Sequence, residues 1–246
     1  MKYIEKPNLP QSRVGVVAIS SCASESIRKL NNLGIKTIKI KPDIRLPLPI
    51  NSHADIQMLH IGKAYIFSQN EHLYTGESDI KFDRHIISEI PGRIYPDDVR
   101  LNCSIIGNKV ICNPKTISKD VLDYFERNSY SIINVNQGYS KCSVCIVNEN
   151  SIITDDKSIF TAAQKFFDDV LFVSKGSVRL NGYNYGFIGG CCGKIDKDRL
   201  AFNGIIESHT DYKLILDFLN KHNINCVELN NSPLTDIGGI LPLMEV

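Results

Sequence analysis

Long apolar runs are missing from this 246-residue chain, and so is any imbalance of charge. No stretch approaches the roughly 20 apolar residues that a helix needs to cross a bilayer. Residues 1–13 are polar and hold no apolar core of roughly 7–15 residues, so no secretory leader is expected there. Lysines and arginines number 28 against 27 acidic residues, a formal net charge of +1. That balance offers nucleic acid or an anionic membrane no whole-molecule attraction, and neither is an expected partner. A glycine-rich phosphate cradle is also absent after the first strand-like run, Val14 to Ile19. The β-α-β opening made by that run, the helical spacing of Ile27, Leu30 and Leu33, and the strand pattern of Ile35 to Ile40 therefore lacks the means to grip a dinucleotide. No cofactor is expected.

What is present is ordinary for a globular protein: 43% hydrophobic and 22% charged residues, in a chain long enough to bury a sizeable core. Eight cysteines in a chain of this size, with no leader, are expected as thiols in a reducing cytoplasm. Cys142-x-x-Cys145 is a single pair, whereas a zinc site needs about four converging ligands. On one strand the odd spacing sends Cys142 and Cys145 to opposite faces, and the adjacent Cys191 and Cys192 diverge likewise. No metal site is expected.

The organising signal is a repeat. His53, Asp55 and Gln57 alternate with Ala54, Ile56 and Met58, as on a strand with three polar groups on one face. Gly62-Lys63 then turns the chain into Ala64 to Phe67. A helix is expected over Phe82 to Ile90 and a short strand at Arg93 to Tyr95, with the polar stretch from Gln69 to Lys81 as a long covering loop. Three further units follow the same outline of hairpin, helix and strand. Their hairpins are Leu101–Cys112, Cys142–Thr154 and Gly189–Phe202, and their helices carry Val121/Phe125, Ile159/Ala163 and Ile215/Phe218. The period of roughly 40–50 residues is that of solenoids and propellers. A fifth unit opens at Thr235-Asp236 and stops after one strand; what it lacks is the content of residues 14 to 40. If the two ends complete it together, a ring closes without edge strands. The expected fold class is α/β: five ββαβ modules around a pseudo-fivefold axis, residues 1–246 as one propeller domain.

These modules, a His-x-Asp and strand starts rich in Gly-Gly resemble the pentein, or guanidino-group-modifying enzyme, fold. The segments Gly138-Tyr139-x-Lys141-Cys142-Ser143, Gly186-Phe187-Ile188-Gly189-Gly190 and Asp236-Ile237-Gly238-Gly239 are similar to those of an uncharacterised bacterial branch of it. The resemblance implies either an enzyme in which a cysteine attacks a guanidinium carbon, or a non-catalytic relative like the ribosome anti-association factor. In the characterised enzymes the nucleophile belongs to the last module and the His-x-Asp comes late. Here the last module offers Asp236 and no cysteine, and His53-x-Asp55 comes first, so roles do not transfer position by position.

In such a ring the starts of the first hairpin strands gather at the axis. The expected catalytic set is Cys142 as nucleophile, His53 as general acid and base, and Asp55 as orienting carboxylate. Gln57, Asn102, Cys191 and Asp236 are the expected substrate contacts. Cys103, Cys112 and Cys226 read as core, and His60 as a satisfied interior histidine. The expected function is thiol-dependent hydrolysis or transfer on a small guanidine, amidine or amide; the alternative is a pentein that binds a small ligand or a macromolecular partner without chemistry. Oligomeric state is left open.

Overall fold

A computed structural model of the protein describes residues 1–74 and 80–246. The first module-like stretch is β1 (Lys2–Tyr3), β2 (Val14–Ser20), α1 (Ser24–Asn32) and β3 (Lys36–Ile40). Next come α2 (Ala54–Gln57), β4 (Met58–His60), β5 (Tyr65–Ser68) and β6 (Asp83–Ile86). The following unit is β7 (Ser104–Ile106), β8 (Lys109–Cys112), α3 (Lys119–Arg127) and β9 (Ser131–Asn134). After it lie β10 (Val144–Asn148), β11 (Ser151–Thr154), α4 (Lys157–Ala163) and β12 (Asp169–Phe172). The last full unit is β13 (Cys192–Asp196), β14 (Arg199–Phe202), α5 (Tyr212–Lys221) and β15 (Asn225–Glu228), and β16 (Leu241–Glu245) ends the chain.

Each unit obeys one rule. Its first two strands form an antiparallel hairpin, and its third returns parallel to the second. In α3 and α4, apolar residues three or four apart meet a capping side chain. In α3 the Ser118 hydroxyl accepts from Asp120 N while Val121 and Phe125 turn inward. In α4 the Asp156 carboxylate accepts from Ser158 N and Ile159 N.

The fifth unit is assembled from both ends of the chain, as the repeat predicts. Strand β16 lies between β1 and β2, antiparallel to both, and β2 pairs in parallel with β3. All seven residues of β2 are consequently buried.

Packing closes the cycle. One apolar cluster joins the first hairpin sheet to the second through Phe67, Leu101, Ile105 and Phe125. A second joins Ile106 and Ile133 to Val144 and Ile152. A third links Cys145 and Ile153 to Leu200 and Phe202, and a fourth links Ile195 and Ala201 to Val17 and Ile19. The fifth returns from Val16 and Ile38 to Met58 and Ile66. Each cluster is shared by two successive sheets, so five contacts make a ring.

Three local expectations are corrected. Residues 54–57 are a helical turn instead of a strand, with Gln57 N donating to His53 O at 3.2 Å. A helix advances about 100° per residue, so His53, Asp55 and Gln57 do not share a face. Residues 83–86 form the parallel strand β6 rather than part of a helix, and Arg93 to Tyr95 are turn residues rather than a strand. The alternation Asp83-Arg84-His85-Ile86 satisfies a strand as well as a helix, and the open edge of β5 decides it. Part of the 69–81 loop lies outside the described residues.

Candidate active site

The axial ends of the first strands are approached through tight turns, and the chemistry-bearing residues sit on those turns. Asn102 N closes on Val99 O at 3.0 Å, and Ser143 N on Tyr139 O at 3.0 Å. Gly189–Cys191 is a single 3-10 turn ahead of β13. Strand β4 has its α2 turn in the same place. This is why Cys142 and Cys145 part company: Cys142 is on the turn, while Cys145 is inside β10 and buried in the sheet interface.

Cys142 is held from two sides. Its Sγ donates to Asp55 Oδ2 at 3.1 Å and accepts from Asn102 Nδ2 at 3.2 Å. Asn102 Nδ2 also donates to Asp55 O, and its Oδ1 accepts from Lys141 N and Cys142 N. Asn102 is thus the bracket that fixes thiol and carboxylate together. His53 takes a different partner: its Nδ1 lies 3.7 Å from Asp236 Oδ1. The Asp236 carboxylate accepts from Gly238 N at 2.9 Å and Phe187 N at 3.0 Å. Among the described residues, no hydrogen bond joins Cys142 Sγ to His53.

Cys142, His53 and Asp236 line one end of a cavity of about 250 Å³. Ile50, Ile56 and Tyr139 form part of its wall. The loop between β12 and β13 supplies the rest through Leu180, Tyr183, Asn184, Tyr185 and Phe187. Tyr139 is pinned by its hydroxyl to Asp98 Oδ2 at 2.5 Å and stacks on Phe187 with centroids 5.9 Å apart.

Electrostatically the site is over-supplied with acids. Burial pushes the Cys142 thiol well above its ordinary value, and the charges of Asp55 and Asp236 push it further. Burial also raises Asp236, with Asp55 adding to the effect while His53 and the backbone donors oppose it. Asp55 Oδ1 is buried with no hydrogen-bond partner. A cavity lined by the Asp236 carboxylate, with the Asp55 carboxylate hydrogen-bonded to the Cys142 thiol behind it, is suited to receive positive charge.

Of the seven residues singled out from sequence, Cys142, His53, Asp55, Asn102 and Asp236 come together here. His53, Cys142 and Asp236 line the cavity and Asp55 and Asn102 are hydrogen-bonded to Cys142, whereas Gln57 and Cys191 do neither. The Gln57 amide donates to Lys41 O and Asn51 O, which braces the preceding loop. The Cys191 thiol donates to Ile188 O at 3.1 Å inside the apolar core. His60 is buried with Nε2 against Lys63 O, and burial takes it down to about 4. Cys103 and Cys112 are core, as expected, and Cys226 is partly buried. The sequence reading missed the aromatic loop; its clustered Tyr183, Tyr185 and Phe187 on a Gly/Asn-rich stretch were the available signal.

A family model described as a family of unknown function, DUF6873, matches residues 18–241. The chain belongs to that family. No curated protein matches the DUF6873 chain in sequence. Solved structures similar to it include an inosamine-phosphate amidinotransferase from Streptomyces griseus, with a TM-score of 0.62 at 9% identity over 100% of this chain and 98% of that one. An agmatine deiminase from C. jejuni gives 0.55 at 11% identity, over 93% of each chain. A dimethylarginine dimethylaminohydrolase from Pseudomonas aeruginosa, solved with citrulline, gives 0.55 at 9% identity over 94% of this chain and 100% of that one. The DUF6873 chain therefore has the pentein fold. Among its described residues, no helix is long and apolar enough to cross a membrane.

Proposed function

We propose that this protein is a cysteine-dependent hydrolase or transferase acting on a small cationic guanidine or amidine. The observation that carries the proposal is the Cys142 Sγ–Asp55 Oδ2 hydrogen bond of 3.1 Å at the end of a cavity also lined by His53 and Asp236. Burial and two carboxylates oppose a thiolate at Cys142. A planar cation resting on Asp236 reverses that balance and favours the thiolate. Sγ then attacks the amidine carbon while its proton passes to Asp55. The leaving amine departs with a proton from His53, whose imidazolium Asp236 stabilises. Water, or an acceptor amine, gives a proton to the now neutral His53 and attacks the S-amidino carbon; the C–S bond breaks and Sγ takes its proton back from Asp55, releasing the product and regenerating the thiol. This assigns the thiol's proton to Asp55, and the leaving group's to His53.

One observation favours a second reading, a ligand-binding pentein without chemistry: the thiol is tied at both its donor and acceptor sides. Chloroacetamidine separates the two. Its amidinium mimics the substrate cation, and alkylation forms an S–C bond as chloride leaves. The enzyme reading expects Cys142 to be labelled at least about tenfold faster by chloroacetamidine than by neutral chloroacetamide, with Asp55→Asn abolishing the preference. Equal, slow labelling of all cysteines by both reagents, mapped by peptide mass spectrometry, rejects it in favour of the binder.

A further inference from the structure

The reacting end occupies only part of the cavity, and the remainder describes the body of the ligand. Among the described residues lining it, the ionisable side chains besides the tyrosines are His53, Cys142 and Asp236, and there is no lysine or arginine. Lys141, next to Cys142 in sequence, points the other way along the axis: it lines a small void with Asp55 and His60, and its Nζ lies 3.5 Å from where a Cβ on Gly239 would stand. Lys157 and Lys175 line a separate cleft beyond Tyr139, where Lys175 is 3.5 Å from Asp156. A ligand carboxylate entering the cavity would lose water opposite Asp236 and meet no lysine or arginine, a heavy desolvation cost. A second, distal ammonium would find Asn184 and no free carboxylate on the outer wall.

That outer wall is apolar instead. Ile50, Ile56, Leu180 and the stacked Tyr139–Phe187 pair surround the space beyond the thiol. Tyr183 and Tyr185 stand at the mouth, 46% and 36% exposed, and Leu48 is 82% exposed on the segment whose Pro49 abuts Gly182 of the same loop. A cavity of about 150 Å³ is enough to take up benzene, so about 250 Å³ has room for an aromatic ring with a planar cationic head. The tyrosine and phenylalanine faces suit the cation as well as the ring.

We infer that the ligand of this cavity is a monocation without a carboxylate, an amidine or guanidine head carried on an aryl or branched-alkyl body. The inference deepens the function proposed above and rests on it. Calorimetric titration of the intact protein with phenylguanidine, L-arginine and agmatine near neutral pH tests it. Phenylguanidine is expected to bind about tenfold or more tighter than either of the others. Tyr183→Ala, at an exposed loop position, is expected to weaken phenylguanidine about threefold and leave L-arginine within about twofold. Equal or tighter binding of L-arginine or agmatine overturns the inference while leaving the cation site standing. If none of the three binds but chloroacetamidine still labels Cys142 selectively, the inference again fails and the enzyme reading survives. If chloroacetamidine shows no selectivity either, both fall together.

Discussion

Asp236 is held by glycines as much as by hydrogen bonds. A Cβ on Gly190 would stand 2.1 Å from Asp236 Oδ1, and one on Gly238 would stand 2.3 Å from the His53 Cβ. Gly238 also has a φ of +75°, which L-residues adopt only with strain. Carboxylate and imidazole approach each other because the backbone beside them carries no side chain. Gly190→Ala is expected to cost about 1–3 kcal/mol in urea unfolding and to slow chloroacetamidine labelling of Cys142; unchanged values for both would show that Asp236 has room to shift. A second residue-scale expectation concerns Asp155, whose Oδ2 accepts from Ile188 N while Oδ1 is buried without a partner. Burial raises it from 3.8 to about 7. Between those pH values the unfolded chain has released this proton and the folded protein retains it, so the group's contribution to stability falls as pH rises and levels off above about 7. Asp155→Asn removes that dependence. Its stability relative to wild type should therefore climb from pH 4 to pH 7, the span that about 7 against 3.8 defines, in paired urea titrations; a flat difference would mean that Asp155 is solvated and ionised.

At the scale of elements, the division of labour is between strands that pack and turns that present. The strands β7, β10 and β13 are sheltered in the cores between sheets, while Asn102, Cys142 and the Gly189–Cys191 turn occupy the approaches to them. Helices on the rim contribute stability at a distance from the cavity. Ser118 caps α3 and its hydroxyl also donates to Glu89 Oε2 at 2.6 Å. Ser118→Ala should cost about 1 kcal/mol in chemical denaturation without altering phenylguanidine affinity; a change in affinity would tie the rim to the site. The helices of three modules and the completion of the fifth were legible in the sequence, because an amphipathic spacing and a truncated repeat are each self-evident patterns. The turns were not. A five-residue alternation such as His53 to Gln57 looks extended when taken alone, and becomes helical because Asp55 N donates to Gly238 O across the axis. The convergence of five of the seven site residues followed from ring symmetry. Gln57 and Cys191 drop out because symmetry places a backbone position and not the direction of its side chain. The aromatic loop from 174 to 188 lies outside the repeat, and nothing in the modular pattern could announce it.

For the whole molecule, the joint between the ends is the decisive contact. Leu241 and Leu243 of β16 enter one inter-sheet cluster, and Ile240 just before it enters the neighbouring one. Losing this strand exposes two of the five interfaces as well as the edge of β2. Removal of residues 240–246 is expected to abolish the single cooperative urea transition and selective Cys142 labelling together; retention of the wild-type midpoint would show that the other sheets stand alone.

The site draws on residues far apart in the chain: the Asp55–Cys142 hydrogen bond spans 87 positions, and Asp236 reaches back to His53. On a ribosome, His53, Asp55, Asn102 and Cys142 have all been made while Asp236 is still unwritten. The carboxylate that faces His53 is made after all four of these, on the approach to the strand that locks the ring. A nascent chain that stops short of Asp236 therefore holds Cys142 and Asp55 but not the carboxylate that faces His53.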